Sequence, residues 1–468
     1  MSASDTSENI NLNITKRSSW GVSKKHKLGL GYLTLIIVPF IIAETLGMQF
    51  ENLYRSVLSA ITLIAMMVFF VQFPLAGRIK RIPLFANIDW SIAKHKQLGK
   101  YLGIFFFLHP LLILAPKLFV SFDITVDSLV RMVTSDNLIT AIIAWCAMLV
   151  WVLMSIFKDN LKMRYETWRL LHVVGFVIIA TLATLHITSV GSHGQYNQQF
   201  NLLWWTLYCS SIALVIYNYF IKPNKINANP FAISEIKKVS DCDWQLSVAP
   251  KNDKAFNFEA GQFAWINTSD SAFNLEQHPF SISTGENNKS QLSFIIRELG
   301  DYTSSMNELV VGQTVYVDGP YGSMSLDQAK HADGITLIAG GAGIAPMLSL
   351  LRQLDKTNDH RPIRLIYGNQ SISRMVCLDE LLTLEMTMNN FELQLLCEDD
   401  ETDDEIINLH LQKGFIRRRN IEKTIPMSKV GNWEVYLCGP EAMMNTTTKY
   451  LKKIGVSSRH THFEQLSF

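Results

Sequence analysis

The chain has 468 residues, 48% of them hydrophobic and 18% charged, with a formal net charge of +1. That balance gives no reason to expect a nucleic-acid partner, and six cysteines without a C-x-x-C spacing exclude a secreted disulfide framework. The length allows two or three domains, and the apolar residues concentrate in the front half.

Behind an N-terminal tail, residues 1–27, come six apolar runs of roughly the 20 residues that cross a bilayer. They are Leu28 to Gly47, Leu53 to Gly77, Leu98 to Val120, Leu138 to Phe157, Trp168 to Val190 and Leu202 to Ile221. Lys16, Arg17, Lys24, Lys25 and Lys27 precede the first run, and Arg78, Lys80, Arg81, Lys94 and Lys96 lie between the second and third. Lys158, Lys162 and Arg164 lie between the fourth and fifth, and Lys222 and Lys225 follow the sixth. The other loops carry Asp123, Asp127 and Asp136 with few bases, or no fixed charge near Gly191 to Phe200. Basic residues stay on the cytoplasmic side, so both termini are expected there, in a multi-pass protein of the cell (inner) membrane whose partner is the lipid bilayer. The first run is too long for a cleaved signal peptide and further spans follow it.

From Asn224 the composition is that of a soluble protein, with Pro223 and Pro230 marking the hinge. Short alternating runs, "WQLSVAP", "GQFAWI" and "SFIIREL", predict a cytoplasmic β-barrel over 223–330. Strand-length runs, "ITLIAG", "PIRLIYG", "FELQLLC" and "WEVYLCG", alternate with helical stretches over 331–468, which predicts an α/β domain with a parallel sheet. The acidic block Glu398 to Glu405 reads as a solvated loop. The expected fold is thus an α-helical six-span membrane bundle, 28–222, followed by these two domains.

Histidines give the membrane region its chemistry. His95 and His109 are fourteen residues apart, and so are His172 and His186. Fourteen residues of α-helix fall about 40° short of four turns and rise about 21 Å, so each pair shares a face at two depths. Both helices run outward by the charge argument, which sets His95 opposite His172 and His109 opposite His186. Each facing pair can hold one haem iron, two haem b in all, within roughly 30 Å of hydrocarbon. Pro110, following His109, is expected to kink the third span. His26 and His193 read as surface residues.

The soluble half supplies a flavin and a nucleotide signature. "HPFSIS" from His278 offers a strand for a flavin ring, and "IRELGDYT" from Ile296 offers Arg297 as a cation, Gly300 for close backbone approach and Thr303 as a helix cap facing phosphate. "LIAGGAGIAP", Leu337 to Pro346, is a strand, a glycine-rich turn and a helix start, the arrangement that seats a dinucleotide pyrophosphate. After Tyr367 there is no acidic residue before Asp379, and Ser371, Ser373 and Arg374 can receive a 2′-phosphate, which favours NADPH with NADH possible.

With these residues the chain resembles the ferric reductase and NADPH oxidase superfamily, from Leu28 to Phe468. The resemblance implies a bis-haem membrane domain joined to a ferredoxin-NADP-reductase-like dehydrogenase that uses FAD. His278, Pro279, Phe280 and Ser281 match its flavin H-P-F-[ST], and Arg297 with Gly300, Asp301, Tyr302 and Thr303 match its second flavin element. Gly319, Pro320, Tyr321 and Gly322 match its G-P-x-G, Gly341, Gly343 and Pro346 its G-x-G-x-x-P, and Cys438, Gly439 and Pro440 the C-G-P near the nicotinamide. Phe468 stands where the family stacks a C-terminal ring on the flavin, and Arg55 is an oxidase-like cation or a haem-propionate partner. Phe468, Cys438, Ser281 and Arg55 are the expected catalytic set. Ile113 replaces the additional histidine of the oxidase branch four residues after the outer ligand. The resemblance therefore favours reduction of an Fe(III) chelate on the outer side over reduction of O2 to superoxide. A histidine-lined transporter or channel with a regulatory nucleotide-binding domain is the rival of another class, and a cytochrome passing electrons to quinone or a partner subunit within the membrane is another. Protein partners are not indicated.

Overall fold

The computed structural model describes residues 24–47, 52–76, 88–191, 197–252, 254–286, 290–399 and 411–464. The front half forms helices α1 (Lys24–Thr45), α2 (Leu53–Ala76), α3 (Ile88–Leu118), α4 (Phe122–Thr134), α5 (Ile139–Ile156), α6 (Tyr165–Val190), α7 (Gln198–Ile216) and α8 (Lys222–Asn227). Helices suit lipid because every backbone bond closes within the segment. Among the described residues, five stretches are long and apolar enough to cross a membrane: Leu53–Pro74, Ser91–Leu118, Asp136–Ile156, Tyr165–Val190 and Gln198–Asn227. The six-span expectation thus has five such helices, since the apolar part of α1, Gly29–Thr45, is shorter. In α2, 72% of the most apolar stretch is buried, against 6–22% in the other four. It is the central helix, with Phe69, Phe70 and Phe73 packed on Phe176 of α6 and Trp204 of α7, while the outer helices turn apolar surface towards lipid.

Helix α3 contains Pro110 and Pro116 without ending at either. Two details depart from the sequence reading. The segment read as an outer loop contains α4, whose N-cap Ser121 accepts from the Asp123 amide. A π-helical turn, Tyr217–Ile221, and α8 carry the last membrane helix past the expected hinge to Asn227, because Pro223 lies in the first turn of α8, where a missing N–H does no harm.

The first soluble domain holds β1 (Phe231–Lys238), β2 (Asp243–Pro250), β3 (Phe263–Asn267), β4 (His278–Ser281), β5 (Leu292–Arg297) and β6 (Thr314–Tyr321), an antiparallel sheet in the order β4-β3-β6-β1-β2-β5. Ile282, just past β4, bridges Phe294 of β5, which links the two edge strands. Leu246, Val248, Phe294 and Ile296 alternate inward along β2 and β5 to form its core.

The second domain is a parallel sheet of β7 (Gly334–Gly340), β8 (Ile363–Asn369), β9 (Phe391–Cys397), β10 (Gln412–Lys413), β11 (Trp433–Cys438) and β12 (Thr461–Phe463), in the order β10-β9-β8-β7-β11-β12. Every residue of β7 and β11 is buried, as expected of central parallel strands covered on both faces. The strand order reverses between β7 and β11, so the ligand crevice of such a sheet opens at their carboxyl ends.

Candidate functional site

His95 on α3 and His172 on α6 face each other with ring centroids 6.1 Å apart. Their Nδ1 atoms are both engaged. His95 Nδ1 lies 3.0 Å from the Gln72 carbonyl oxygen, which makes it the protonated donor. His172 Nδ1 lies 3.0 Å from Ser155 Oγ, and that hydroxyl gives its own proton to the Trp151 carbonyl at 2.8 Å, so it accepts from His172. In both imidazoles Nδ1 is thereby the protonated nitrogen, which leaves Nε2 as the one available to a metal. The His172 ring is stacked between Trp151 and Trp168, at 4.6 Å and 5.1 Å. Two imidazoles sharing one iron at about 2 Å per bond have centroids about 6 Å apart, so the donor set fits a haem iron.

The pair borders a cavity of about 660 Å³. Gln72, Phe73, Gly99 and Phe176 of the membrane helices line it together with Trp265, Phe273, Leu275 and Gln277 of the first soluble domain. Gln277 immediately precedes His278 of the flavin motif. The domains are joined here by Arg169, whose guanidinium donates to the Leu275 carbonyl at 3.3 Å, and by the ion pair Lys222–Asp318 at 2.8 Å.

Farther along the same helices stand His109 and His186. The His109 ring lies 5.8 Å from Phe105, and His186 Nδ1 is buried without a hydrogen-bond partner, an orphaned nitrogen consistent with a ligand role. Arg55 is an exposed residue in the first turn of α2, next to Tyr54, whose hydroxyl donates to the Leu112 carbonyl at 2.6 Å. The second helix start and the stretch of α3 just beyond His109 are thus adjacent.

In the flavin motif, His278 stacks on Tyr302 at 3.9 Å, and Phe280 lies parallel to the same ring at 6.4 Å. Burial lowers the His278 pKa, with Glu166 opposing, so this imidazole is neutral at pH 7. Burial pushes the Tyr302 hydroxyl up to about 12, with the Thr268 hydrogen bond opposing. Glu166, Glu276 and His278 bring ligand atoms within 4.8 Å of one another, and Arg164 sits 3.6 Å and 3.9 Å from the two carboxylates. Ser281 and Pro279 pair with Phe263 and Trp265 of β3. Thr303 is the third residue of the short helix α9 (Asp301–Ser304) rather than its cap, and its Oγ1 accepts from the amides of Leu299 and Gly300.

Arg297, expected to be a cation facing phosphate, is anchored by a carboxylate. Its Nε and Nη2 donate to the two oxygens of Asp243, at 2.9 Å and 2.8 Å. Nη1 occupies the space a Cβ on Gly341 would need, so the guanidinium touches the nucleotide turn. Gly341 also has φ +53°, a second reason for glycine. A Cβ on Gly343 would collide with the Cys438 carbonyl, so the turn after β7 and the Cys438–Gly439–Pro440 end of β11 pack backbone against backbone at the crevice. The N-terminus of α10 (Ile344–Lys356), with Pro346 in its first turn, opens there and suits a pyrophosphate. Ser371, Ser373 and Arg374 share the loop after β8, where Arg374 donates to the Gln370 side chain and the two serine oxygens are 3.0 Å apart. Phe468 lies outside the described residues.

Gln72, Ser155, Trp151, Trp168, Asp243 and Lys222 belong to this arrangement without having been singled out in the sequence. Trp168, one turn before His172, and Asp243, a charge in an alternating strand, were the available signals.

A helical membrane unit, an antiparallel sheet domain and a parallel α/β domain with a glycine-rich turn define a membrane-bound protein of flavin- and nucleotide-binding make-up. Residues 57–183 match the family described as "Ferric reductase like transmembrane component", 235–325 the "FAD-binding domain" and 337–449 the "Oxidoreductase NAD-binding domain". In that order the three matches give the chain the fused architecture of the ferric reductase and NADPH oxidase superfamily. The soluble half is similar to the reductase component of propane 2-monooxygenase from Mycolicibacterium smegmatis, 29% identical over 44% of this chain and 58% of that protein. It is also similar to the toluate 1,2-dioxygenase electron transfer component of Pseudomonas putida, 25% identical over 50% of this chain and 67% of that protein. Thus this chain spans only about 58% of the propane relative's length. Among solved structures, the FAD/NAD-binding domain of nitric oxide dioxygenase from Vibrio cholerae is 21% identical, over 50% of this chain and 97% of that one, with a TM-score of 0.44.

Proposed function

We propose that this protein moves electrons from cytoplasmic NAD(P)H, through FAD and two b-type haems, to an acceptor on the outer side of the cell membrane, with Fe(III) chelates as the acceptor class. The reading counts α1 as a sixth span, takes both termini as cytoplasmic, and divides the chain into a tail (1–27), a haem domain (28–222), a closed FAD barrel (223–330) and a nucleotide domain (331–468). His95/His172 would hold the inner haem and His109/His186 the outer one. FAD converts a two-electron hydride donor into the one-electron steps that haem iron accepts.

The observation that carries this reading is the His95/His172 pair, with both Nδ1 atoms engaged, lining one cavity together with Leu275 and Gln277, which lead into His278. Around it, this chain's residues orient and exclude. Gln72 and Ser155 fix the imidazole tautomers, Trp151 and Trp168 clamp the His172 ring, and Phe73 and Phe176 keep water from the gap. The glycines at 341 and 343 leave room for a nucleotide pyrophosphate against α10. With the inside negative, an outward electron gains about 2.3 kcal/mol per 100 mV.

The test is spectroscopic and vectorial. Purified protein should carry a Soret band that shifts on dithionite reduction, and proteoliposomes given NADPH on the dehydrogenase side should bleach entrapped ferricyanide. A colourless folded protein would favour a transporter, and reduced haem with untouched ferricyanide would favour transfer within the membrane. NADPH oxidation in air without iron, scored by dismutase-sensitive cytochrome c reduction, separates the superoxide alternative.

A further inference from the structure

The segment joining α3 to α5 is on the outer side in the reading above, and Lys117 and Arg131 are the basic residues of 117–138. Lys and Arg are disfavoured on that side of a membrane. The fold brings this pair to one place. Lys117 lies in the last turn of α3 and Arg131 in the last turn of α4, and both line an open pocket of about 630 Å³ with Ser128, Met132, Thr134, Ser135 and Leu138.

We propose that this pocket is an oxyanion-binding site that seats a polycarboxylate Fe(III) chelate, the substrate class of the electron route proposed above, on which this assignment rests. Lys117 Nζ donates to the buried Ser128 Oγ at 2.8 Å, which fixes the ammonium at the pocket wall and leaves it further donors. Arg131 Nε donates to the Asp127 carbonyl at 3.3 Å, which anchors the guanidinium and keeps its remaining N–H groups for a planar carboxylate. The same segment contains Asp123, Asp127 and Asp136, yet among the described residues none forms an ion pair with either cation, and none lines the pocket. The lining is therefore two cations and three hydroxyls with no carboxylate, a donor set for an anion.

Helix C-termini favour cations by only about 0.3–1 kcal/mol, which accounts for one cation in each last turn but not for their convergence on a shared cavity. The position also suits the reaction. Lys117 is eight residues beyond His109 on the same helix, about 12 Å along its axis, so an anion held there sits just past the outer histidine level. The chelate takes one electron, Fe(III) becoming Fe(II), while its carboxylates keep their charge and no proton is exchanged. The site holds and the electron route reduces.

A lipid-headgroup phosphate has the same oxyanion chemistry, so the test separates the sources. Full-length protein is placed in nanodiscs of zwitterionic lipid, as wild type, K117Q, R131Q and the double variant. Gallium(III) citrate, a redox-inert counterpart of ferric citrate, is titrated by calorimetry. Each substitution should weaken its binding about tenfold. The KM for ferric citrate should rise in parallel with kcat unchanged, while reduction of hexaammineruthenium(III), a cationic acceptor, should not slow. Unchanged Soret and flavin spectra confirm folding, and K117R, which keeps the charge, should retain binding. Gallium citrate binding indifferent to the substitutions overturns the proposal, as does an equal loss with the cationic acceptor. Loss of co-purified phospholipid from the variants without any change in gallium citrate binding assigns the pocket to lipid and overturns the chelate. The two readings fail separately. Wild type that binds gallium citrate through these cations but reduces nothing outside removes the electron route, whereas chelate reduction that ignores the substitutions removes only the site.

Discussion

Lys222 and Asp318 join the membrane unit to the flavin domain through a nearly dry ion pair, 2.8 Å long with side chains 13% and 9% exposed. Lys222 also donates to the Tyr321 hydroxyl at 2.6 Å, and Tyr321 donates to the other Asp318 oxygen at 2.7 Å, closing a three-membered ring of bonds between the last helix and β6. Removing one partner of a buried pair strands the other charge, at about 3–5 kcal/mol. Lys222→Met should therefore loosen docking while sparing the nucleotide crevice, which lies in another domain. Stopped-flow with NADPH should show flavin bleaching at the wild-type rate and haem reduction slowed at least about tenfold. Equal rates at both wavelengths would mean that the ion pair does not set the distance between the centres.

Ser155 acts on the inner site through His172. Its acceptor role follows from the bond its own proton makes to the Trp151 carbonyl, so Ser155→Ala removes the acceptor of His172 Nδ1–H and changes little volume. Loss of such a partner lowers metal affinity about 10- to 100-fold and makes the imidazole a weaker donor. The variant should retain two haems at high protein concentration, lose one of them faster on dilution, and show an upward shift of one midpoint potential in a redox titration. His172→Ala should lose that haem outright in a pyridine haemochrome assay. An unchanged potential in Ser155→Ala would show that the hydroxyl serves only helix packing.

That His95 and His172 meet was legible because a period of fourteen residues is close to four helical turns, and the glycine turns because close backbone approach admits no side chain. What orients the histidines was not. The partner of His95 is a backbone carbonyl, which has no residue signature, and Ser155 is a lone hydroxyl on a different span, related to His172 only by packing. The carboxylate that anchors Arg297 was not legible either, because Asp243 is 54 residues away along the chain and pairs with it across β2 and β5. Helix α4 was missed although Phe122, Val126, Leu129, Val130 and Val133 keep the helical spacing i, i+4, i+7, i+8, i+11, because its 13 residues are too few to cross a bilayer and the segment was taken only as the connection between two spans.

Glu434 on β11 gives the nucleotide domain an acid-sensitive bond. Its two oxygens accept from His462 Nε2 at 2.6 Å and His460 Nδ1 at 2.7 Å, fastening β12 to the sheet edge. Burial alone would raise its pKa, but the hydrogen bonds from His462 and His460 outweigh that and hold it below the ordinary value. A carboxylate whose folded pKa is depressed contributes stability above its unfolded pKa, about 4.3, and loses it as pH falls through the folded value. Wild type should therefore lose thermal stability between pH 5 and lower pH more steeply than Glu434→Gln, which lacks the titrating group. Parallel curves of melting temperature against pH for the two proteins would exclude this linkage.

The Asp243–Arg297 pair is positioned to serve both nucleotide sites at once. Asp243 is fully buried and binds Arg297 with both oxygens, while Arg297 Nη1 rests on Gly341, the first glycine of the turn after β7. Asp243→Asn keeps the shape but leaves the guanidinium without its counter-charge, and breaking a buried pair in this way is expected to destabilise by about 3–5 kcal/mol. The flavin and nucleotide domains meet at this contact, so the loss should appear in both. Flavin should dissociate more readily, read as a lower melting point by flavin fluorescence, and the KM for NADPH should rise together with it. Arg297→Lys should behave similarly despite its charge, because one ammonium cannot bond both Asp243 oxygens and still reach Gly341. If Asp243→Asn weakens flavin retention but leaves the KM for NADPH untouched, Arg297 belongs to the flavin side alone and its packing on Gly341 has no part in nucleotide binding.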